Sequence, residues 1–357
     1  MDAPGKTPLD YLCEKLGRRW QGIDAARQDA DVERQKIAGI LARHALVPSD
    51  TSFVVFGSLA RREWTTSSDV DWTLMVDGQV DANHLKVAQD IRSRFEEAKL
   101  QAPGPTNTFG SLAFSHDIVH QIGGEADTNR NTTQRILLLL ESATVDNPDA
   151  YERVISAVLN RYLDDDLSFL SGSGLRYKVP RFLLNDIVRY WRTMAVDYAT
   201  KHRERQGDKW ALRNTKLRMS RKLIFASGLL TCFNCYLRPP LELKTLFEIP
   251  EHMEPLLVHL RTYVKMTPID ILADASLSFA KEATAIQIFD AYDQFLTMMN
   301  DGEKRRHLAS LKAREAHADR LFGDVRKISA QFQEGLSRLF LDDNEKLNEL
   351  TRKYGIF

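Results

Sequence analysis

Two aspartates one residue apart, Asp69 and Asp71, follow a Gly57-Ser58 pair inside a single stretch from Phe53 to Val76. Side chains on a strand alternate between faces, so Asp69 and Asp71 share one face while Val70, Trp72, Leu74 and Val76 take the other. Two carboxylates side by side repel each other unless a cation sits between them. Oxygen donors of this kind suit Mg²⁺, which takes one or two protein carboxylates together with substrate phosphates. The same hard donors accept Mn²⁺. At Gly57-Ser58 the backbone can turn tightly and approach a ligand with no Cβ in the way. The stretch reads as a phosphate-and-metal site.

Those residues need elements to hold them. Phe53 to Phe56 is an apolar run and reads as a buried strand that stops at the Gly-Ser turn. Ahead of it, Leu9, Leu12, Leu16 and Trp20, then Ile37, Ile40, Leu41 and Leu46, recur at helical spacing, which predicts helix over residues 7–47. Pro48-Ser49 marks the turn between them. Leu85 to Leu100 reads as a helix with Val87, Ile91 and Phe95 inward, and Pro103-Gly-Pro105 breaks the chain after it. The next strand candidate runs from Leu112 to Ile122 and puts Asp117 on the face opposite His116 and Ile118. Alone, an Asp-x-Asp is usually two solvated residues and a Gly-Ser an ordinary turn. Their order between two apolar runs is what points to chemistry.

That order resembles the signature of the nucleotidyltransferases of the DNA polymerase β superfamily. In that family the Gly-Ser turn holds the nucleotide triphosphate, the Asp-x-Asp pair binds two Mg²⁺ ions, and a third carboxylate on a later strand completes the metal site. The resemblance implies nucleotide binding at Gly57 and Ser58 and metal binding at Asp69 and Asp71. It makes Asp117 the third metal carboxylate, on the ion that activates the attacking hydroxyl. The bland reading of Asp117 is a strand-end aspartate bonded to the backbone. The block from Asp117 to Gly124, with the helix expected at 132–142, is similar to the matching block of the bacterial protein uridylyltransferases. The large hydrolase and ligand-sensing domains of those enzymes have no visible counterpart in this chain. One core followed by helices is also similar to bacterial synthases of cyclic oligonucleotide signals and to antitoxin-type nucleotidyltransferases.

The remaining sequence bounds this reading. Lys plus Arg and Asp plus Glu both number 49 in 357 residues, so no global basic field points to bulk nucleic-acid binding, and RNA stays a lesser acceptor class. Three cysteines make no disulfide framework, and Cys232-Phe-Asn-Cys235 reads as buried thiols late in a helix. Neither a secretory leader nor a membrane-length apolar run is visible, and a cytoplasmic location is expected. The most basic stretch runs from Lys209 to Leu223; on a helix Lys209, Arg213 and Lys216 fall along one stripe. Charge runs are usually solvated faces, yet related nucleotidyltransferases hold the triphosphate with basic residues of a helical domain, so these three are candidate phosphate ligands. His116 and His120 share one face of the expected strand and read as packing or surface residues, and Arg130 and Arg135, which follow that strand closely enough to reach substrate, read first as surface residues. Gly172-Ser-Gly174 reads as a linker, Leu241 to Phe247 as a helix, and Lys304 to Phe357 as charge-rich helix.

The expected architecture is α+β: a mixed-sheet nucleotidyltransferase core over residues 1–146 followed by an all-α helical domain over 147–357. The expected activity is Mg²⁺-dependent transfer of an NMP from an NTP to an acceptor hydroxyl, foremost on a protein side chain. A cyclic or linear oligonucleotide second-messenger synthase is the alternative, and a catalytically silent nucleotide-binding scaffold is the reading from another class.

Overall fold

The computed structural model describes residues 5–44, 46–65, 67–104, 108–165, 179–204, 209–239 and 253–356. The chain opens with helices α1 (Pro8–Leu16) and α2 (Gln21–His44). The helical run expected over 7–47 is thus two helices, because Gly17 adopts a left-handed φ of 58° and caps α1. There follow β1 (Thr51–Phe56), a one-turn helix α3 (Gly57–Ala60), β2 (Trp72–Val76) and α4 (Ala82–Glu97). Then come β3 (Ser111–Phe114), α5 (Ser115–Val119), α6 (Asn129–Leu140), β4 (Ser142–Asp146) and α7 (Pro148–Asp165).

The four strands form one mixed sheet in the order β3-β2-β1-β4. β1 pairs antiparallel with β2 and with β4, and β2 pairs parallel with β3. The class is therefore α+β, a small mixed sheet in a largely helical chain. Every residue of β1 is buried, as a central strand covered on both faces requires. Phe53 lies opposite Leu74 and Val55 opposite Trp72, so these four side chains share a face. They meet Ala30, Ile37 and Leu41 of α2 and Ala88, Ile91 and Phe95 of α4 in one apolar core. Phe53 stacks on Trp72 at 5.3 Å, and Phe95 meets Trp72 edge-on at 5.9 Å. The opposite face packs against α7. β4, a short and mostly polar strand, is absent from the sequence reading.

The chain divides into two compact units. A sheet unit comprises residues 27–186 and 239–267; a helical unit comprises 1–26, 187–238 and 268–357. The boundary expected at 146/147 falls inside the sheet unit, because α7 packs on β1. The remaining elements are α8 (Arg181–Glu204), α9 (Trp210–Lys216), a π-helical turn (Leu217–Arg221), α10 (Lys222–Leu237), α11 (Met253–Lys265), α12 (Pro268–Phe279) and α13 (Glu282–Asn300). They are followed by α14 (Gly302–Ser310), α15 (Ala313–Ala316), α16 (Arg320–Leu341) and α17 (Glu345–Leu350). Within the helical unit, α10 packs on α12 and α13 on α16. The charge-rich C-terminal segment has a real apolar stripe: Phe322, Val325, Phe332, Leu336 and Leu339 of α16 are buried. Cys232 and Cys235 are fully buried on α10, and burial pushes the Cys235 thiol up to about 12. No described helix is long and apolar enough to cross a membrane. The linker expected at 172–174 and the helix expected at 241–247 lie outside the described residues.

Candidate active site

The Gly-Ser turn and the aspartate pair meet at one end of the sheet. β1 ends at Phe56, whose amide donates to the Asp71 carbonyl at 2.8 Å, so the β1–β2 ladder continues one step past β2. Asp71 therefore stands beside Phe56, and the turn begins with the next residue. Gly57 has a left-handed φ of 66°, and a Cβ built on it would lie 3.0 Å from Asp71 Oδ2. The glycine is there for two reasons: its backbone conformation, and the closeness of that carboxylate. Asp69 and Asp71 are half-buried while Val70 and Trp72 are buried, which is the alternation expected. Two residues of extended chain separate the aspartates by about 6.6 Å along the strand. The amide of Val70, between them, donates to the Gln101 carbonyl at 3.0 Å and fixes the segment from the other side.

Substituting Gly57 by alanine is expected to slow the reaction of this site by about tenfold to a hundredfold, because a small displacement of reacting groups costs that much. The left-handed backbone adds a penalty of about 1 kcal/mol to folding. Steady-state rates and a thermal melt read the two effects separately; an alanine variant with unchanged rates would deny that the turn and Asp71 act together.

The turn is braced from several sides. Arg34 of α2 donates to the Leu59 carbonyl at 2.9 and 3.1 Å and to the Ala60 carbonyl at 2.7 Å, which satisfies the last carbonyls of α3. Burial, and secondarily the neighbouring Arg62 guanidinium, bring Arg34 down to about 10, so it remains charged at neutral pH. Arg62 itself has a left-handed φ of 58° and is held there by a two-point ion pair with Asp31. Arg61 donates Nε to Glu63 Oε2 at 2.8 Å and Nη1 to Glu141 Oε2, and all three side chains are buried. In the spacer, Thr65 and Ser68 close a turn through their hydroxyls at 2.9 Å, just ahead of Asp69. These bracing residues are silent in the sequence, because each contact is made by a pair of ordinary charged or polar residues.

Asp117 does not join the site. The strand expected from Leu112 to Ile122 ends at Phe114, and Asp117 lies on α5. β3 runs parallel to β2, with Thr73 beside Ser111 and Val76 beside Phe114. Asp69 and Asp71 precede β2 and Asp117 follows β3, so they belong to opposite ends of two parallel strands. Among the described residues, no three His, Cys, Asp or Glu side chains gather to hold a metal ion. Asp117 Oδ1 instead accepts from Gln121 Nε2 at 3.5 Å. His116 and His120 share a face for a helical reason, one turn apart on exposed positions with rings 5.2 Å apart.

Arg135 also corrects the sequence reading. It is not a surface residue but fully buried, donating to Asp127, Asp186, the Tyr162 hydroxyl and the Ile118 carbonyl. Arg130 is exposed, as expected. Lys209, Arg213 and Lys216 belong to the helical unit, whereas Gly57, Ser58, Asp69 and Asp71 belong to the sheet unit. Lys209 is exposed with a left-handed φ of 54° ahead of α9, so of the expected stripe only Arg213 and Lys216 lie on the helix itself.

Against this geometry, residues 26–113 match the family described as "Putative nucleotidyltransferase DUF294". The matched segment holds most of α2, the Gly57-Ser58 turn and both aspartates, and it ends before Asp117. This part of the chain is thus similar to a nucleotidyltransferase-type domain. No curated protein and no solved structure gives a significant match.

Proposed function

We propose that the protein is a divalent-metal-dependent nucleotidyltransferase that moves an NMP from an NTP to an acceptor hydroxyl and releases pyrophosphate. The observation that carries this reading is the seating of Gly57 against Asp71, with a single-turn helix starting at the glycine. Such a strand-to-helix junction is a place where backbone N–H groups meet phosphate oxygens. The donor set fits a hard cation: two half-buried carboxylates on one face of an extended segment, with no thiol or imidazole among them. Asp69 and Asp71 would hold Mg²⁺ or Mn²⁺, and the ion would offset charge on the phosphates and lower the pKa of the attacking hydroxyl. Ser58 and the Gly57 backbone orient the β- and γ-phosphates. Arg34 and Arg62 keep that turn from moving. The acceptor oxygen forms a bond to the α-phosphorus as the bond to the pyrophosphate oxygen breaks, and the hydroxyl proton leaves to solvent. Asp117 has no part in this scheme.

The acceptor is proposed to be a protein side chain. Purified protein incubated with each α-³²P-labelled NTP and either Mg²⁺ or Mn²⁺, with and without cell lysate, tests the whole reading. A labelled protein band that requires lysate is the expected result. A small phosphatase-resistant product formed without lysate would replace the protein acceptor by a second nucleotide and make the chain a messenger synthase. Absence of label across all four nucleotides and both metals would overturn transfer itself in favour of a nucleotide-binding scaffold.

A further inference from the structure

Three buried charged residues stand immediately behind the Gly-Ser turn. Arg61 and Glu63 follow it in sequence, and Glu141 precedes β4. Their backbone already grips the turn: the Arg61 amide donates to the Gly57 carbonyl at 2.9 Å, and the Glu63 amide donates to the Ser58 carbonyl at 2.8 Å. Their side chains carry the grip further. The Arg61 guanidinium bridges Glu63 and Glu141, and the three residues are 7%, 5% and 3% exposed. Glu141 is fixed in turn by the sheet, because Ser142 pairs with Phe56, the residue before Gly57. One row of backbone thus runs from Asp71 through Phe56 to Ser142.

Burying a guanidinium between carboxylates stabilises a fold less than apolar side chains of the same volume would. Its use here is better explained by placement, since a planar fork between two acceptors fixes position and orientation together. The clearance it has to guard is small: the turn lies so near Asp71 that a single added Cβ would come within 3.0 Å of the carboxylate.

We propose that Arg61, Glu63 and Glu141 are positioning residues for nucleotide binding: the Arg61 bridge ties the Gly57-Ser58 turn to the start of β4 and so sets the distance between Ser58 and Asp71. This rests on the nucleotidyl-transfer reading above. It assigns Arg61 to the rear of the turn rather than to the nucleotide phosphates.

The test compares wild type with Glu141→Gln, Arg61→Lys and Tyr162→Phe. Tyr162 belongs to the separate buried network around Arg135 and serves as a purely structural control. Binding of Mn²⁺ with each NTP is followed by electron paramagnetic resonance, and KM and kcat by transfer of label. Glu141→Gln keeps shape and an acceptor but loses the charge. It is expected to raise KM and the Mn²⁺–nucleotide Kd by about tenfold with kcat changed much less, the pattern of an interaction made equally in ground and transition states. Arg61→Lys, which keeps the charge but loses the planar fork that fixes both carboxylates in place, is expected to match it. Tyr162→Phe is expected to lower Tm without moving KM. A fall in Tm at unchanged KM for Glu141→Gln would make the bridge merely structural and overturn the inference. Loss of binding in Arg61→Lys with Glu141→Gln unaffected would also overturn it, by placing Arg61 on the phosphates. Wild type that binds no Mn²⁺–nucleotide at all would overturn the nucleotidyl-transfer reading first, before any variant is compared.

Discussion

Replacing both Asp69 and Asp71 by asparagine is expected to lower metal-dependent nucleotidyl transfer by about a thousandfold or more, equivalent to about 4 kcal/mol of transition-state stabilisation. Asparagine keeps the shape and loses the charge that would hold the cation. The apolar core and the sheet ladder do not use that charge. Val70 and Trp72, which alternate with the aspartates, supply the burial on the core face, and the sheet ladder at Asp71 is made by its carbonyl. Removing two neighbouring negative charges relieves their repulsion in the metal-free protein, so the Tm of the apo variant should equal or slightly exceed that of wild type. Mg²⁺ should raise the Tm of wild type and leave the variant unmoved, since an ion stabilises only what binds it. Initial rates with labelled NTP and melts at several Mg²⁺ concentrations measure both arms. Retained turnover in the double variant would show that the aspartates are not the metal site.

The second large effect is on stability. Arg135→Met is expected to cost about 3–5 kcal/mol, the range for removing one partner of a buried ion pair. Arg135 is 0% exposed and donates to both carboxylate oxygens of Asp127, at 3.2 and 2.9 Å, and to Asp186 at 2.9 Å. Methionine would fill much of the volume and leave two buried carboxylates without their guanidinium. Tyr162 cannot substitute for it. Burial pushes the Tyr162 hydroxyl well up, so it stays protonated and donates to Asp186 at 2.6 Å. Urea unfolding monitored by circular dichroism gives the number, and a loss under about 1 kcal/mol would mean that the network relaxes or takes in water. Because Arg135 bonds to Asp127, Asp186, Tyr162 and Ile118 rather than to the Gly-Ser turn, residual transfer per folded molecule should stay close to wild type.

What could be read from the sequence was local. Gly57-Ser58 and Asp69-Val-Asp71 declare themselves because a tight turn and a period-two alternation are written in adjacent residues. Asp117 was misplaced for a related reason. Leu112, Phe114 and Ile118 sustain an alternating pattern, but the neighbours Ile118 and Val119 are both buried, which suits a helical turn packed on α6 and α7 better than a strand. The fate of Arg135 depends on Asp186, which is 51 residues away in sequence, so no window over the chain could reveal it. Glu63 and Glu141 were passed over for the same cause: their meaning comes from Arg61, and from a strand, β4, too short and polar to announce itself.

The strand order has a consequence for how the protein is made. β1 lies between β2 and β4, and β4 is the last of the four to leave the ribosome. During synthesis β1 can zip to β2 early, through a short connection, but its other edge stays open until residues 57–141 have followed. An unpaired apolar edge is a template for pairing with another chain, and Thr51-Ser-Phe-Val-Val-Phe56 is as apolar an edge as this sequence offers. The newborn chain is thus exposed to aggregation for a defined interval, which closes when Ser142 reaches Phe56. A truncation ending between β3 and β4 would hold the chain permanently in that interval.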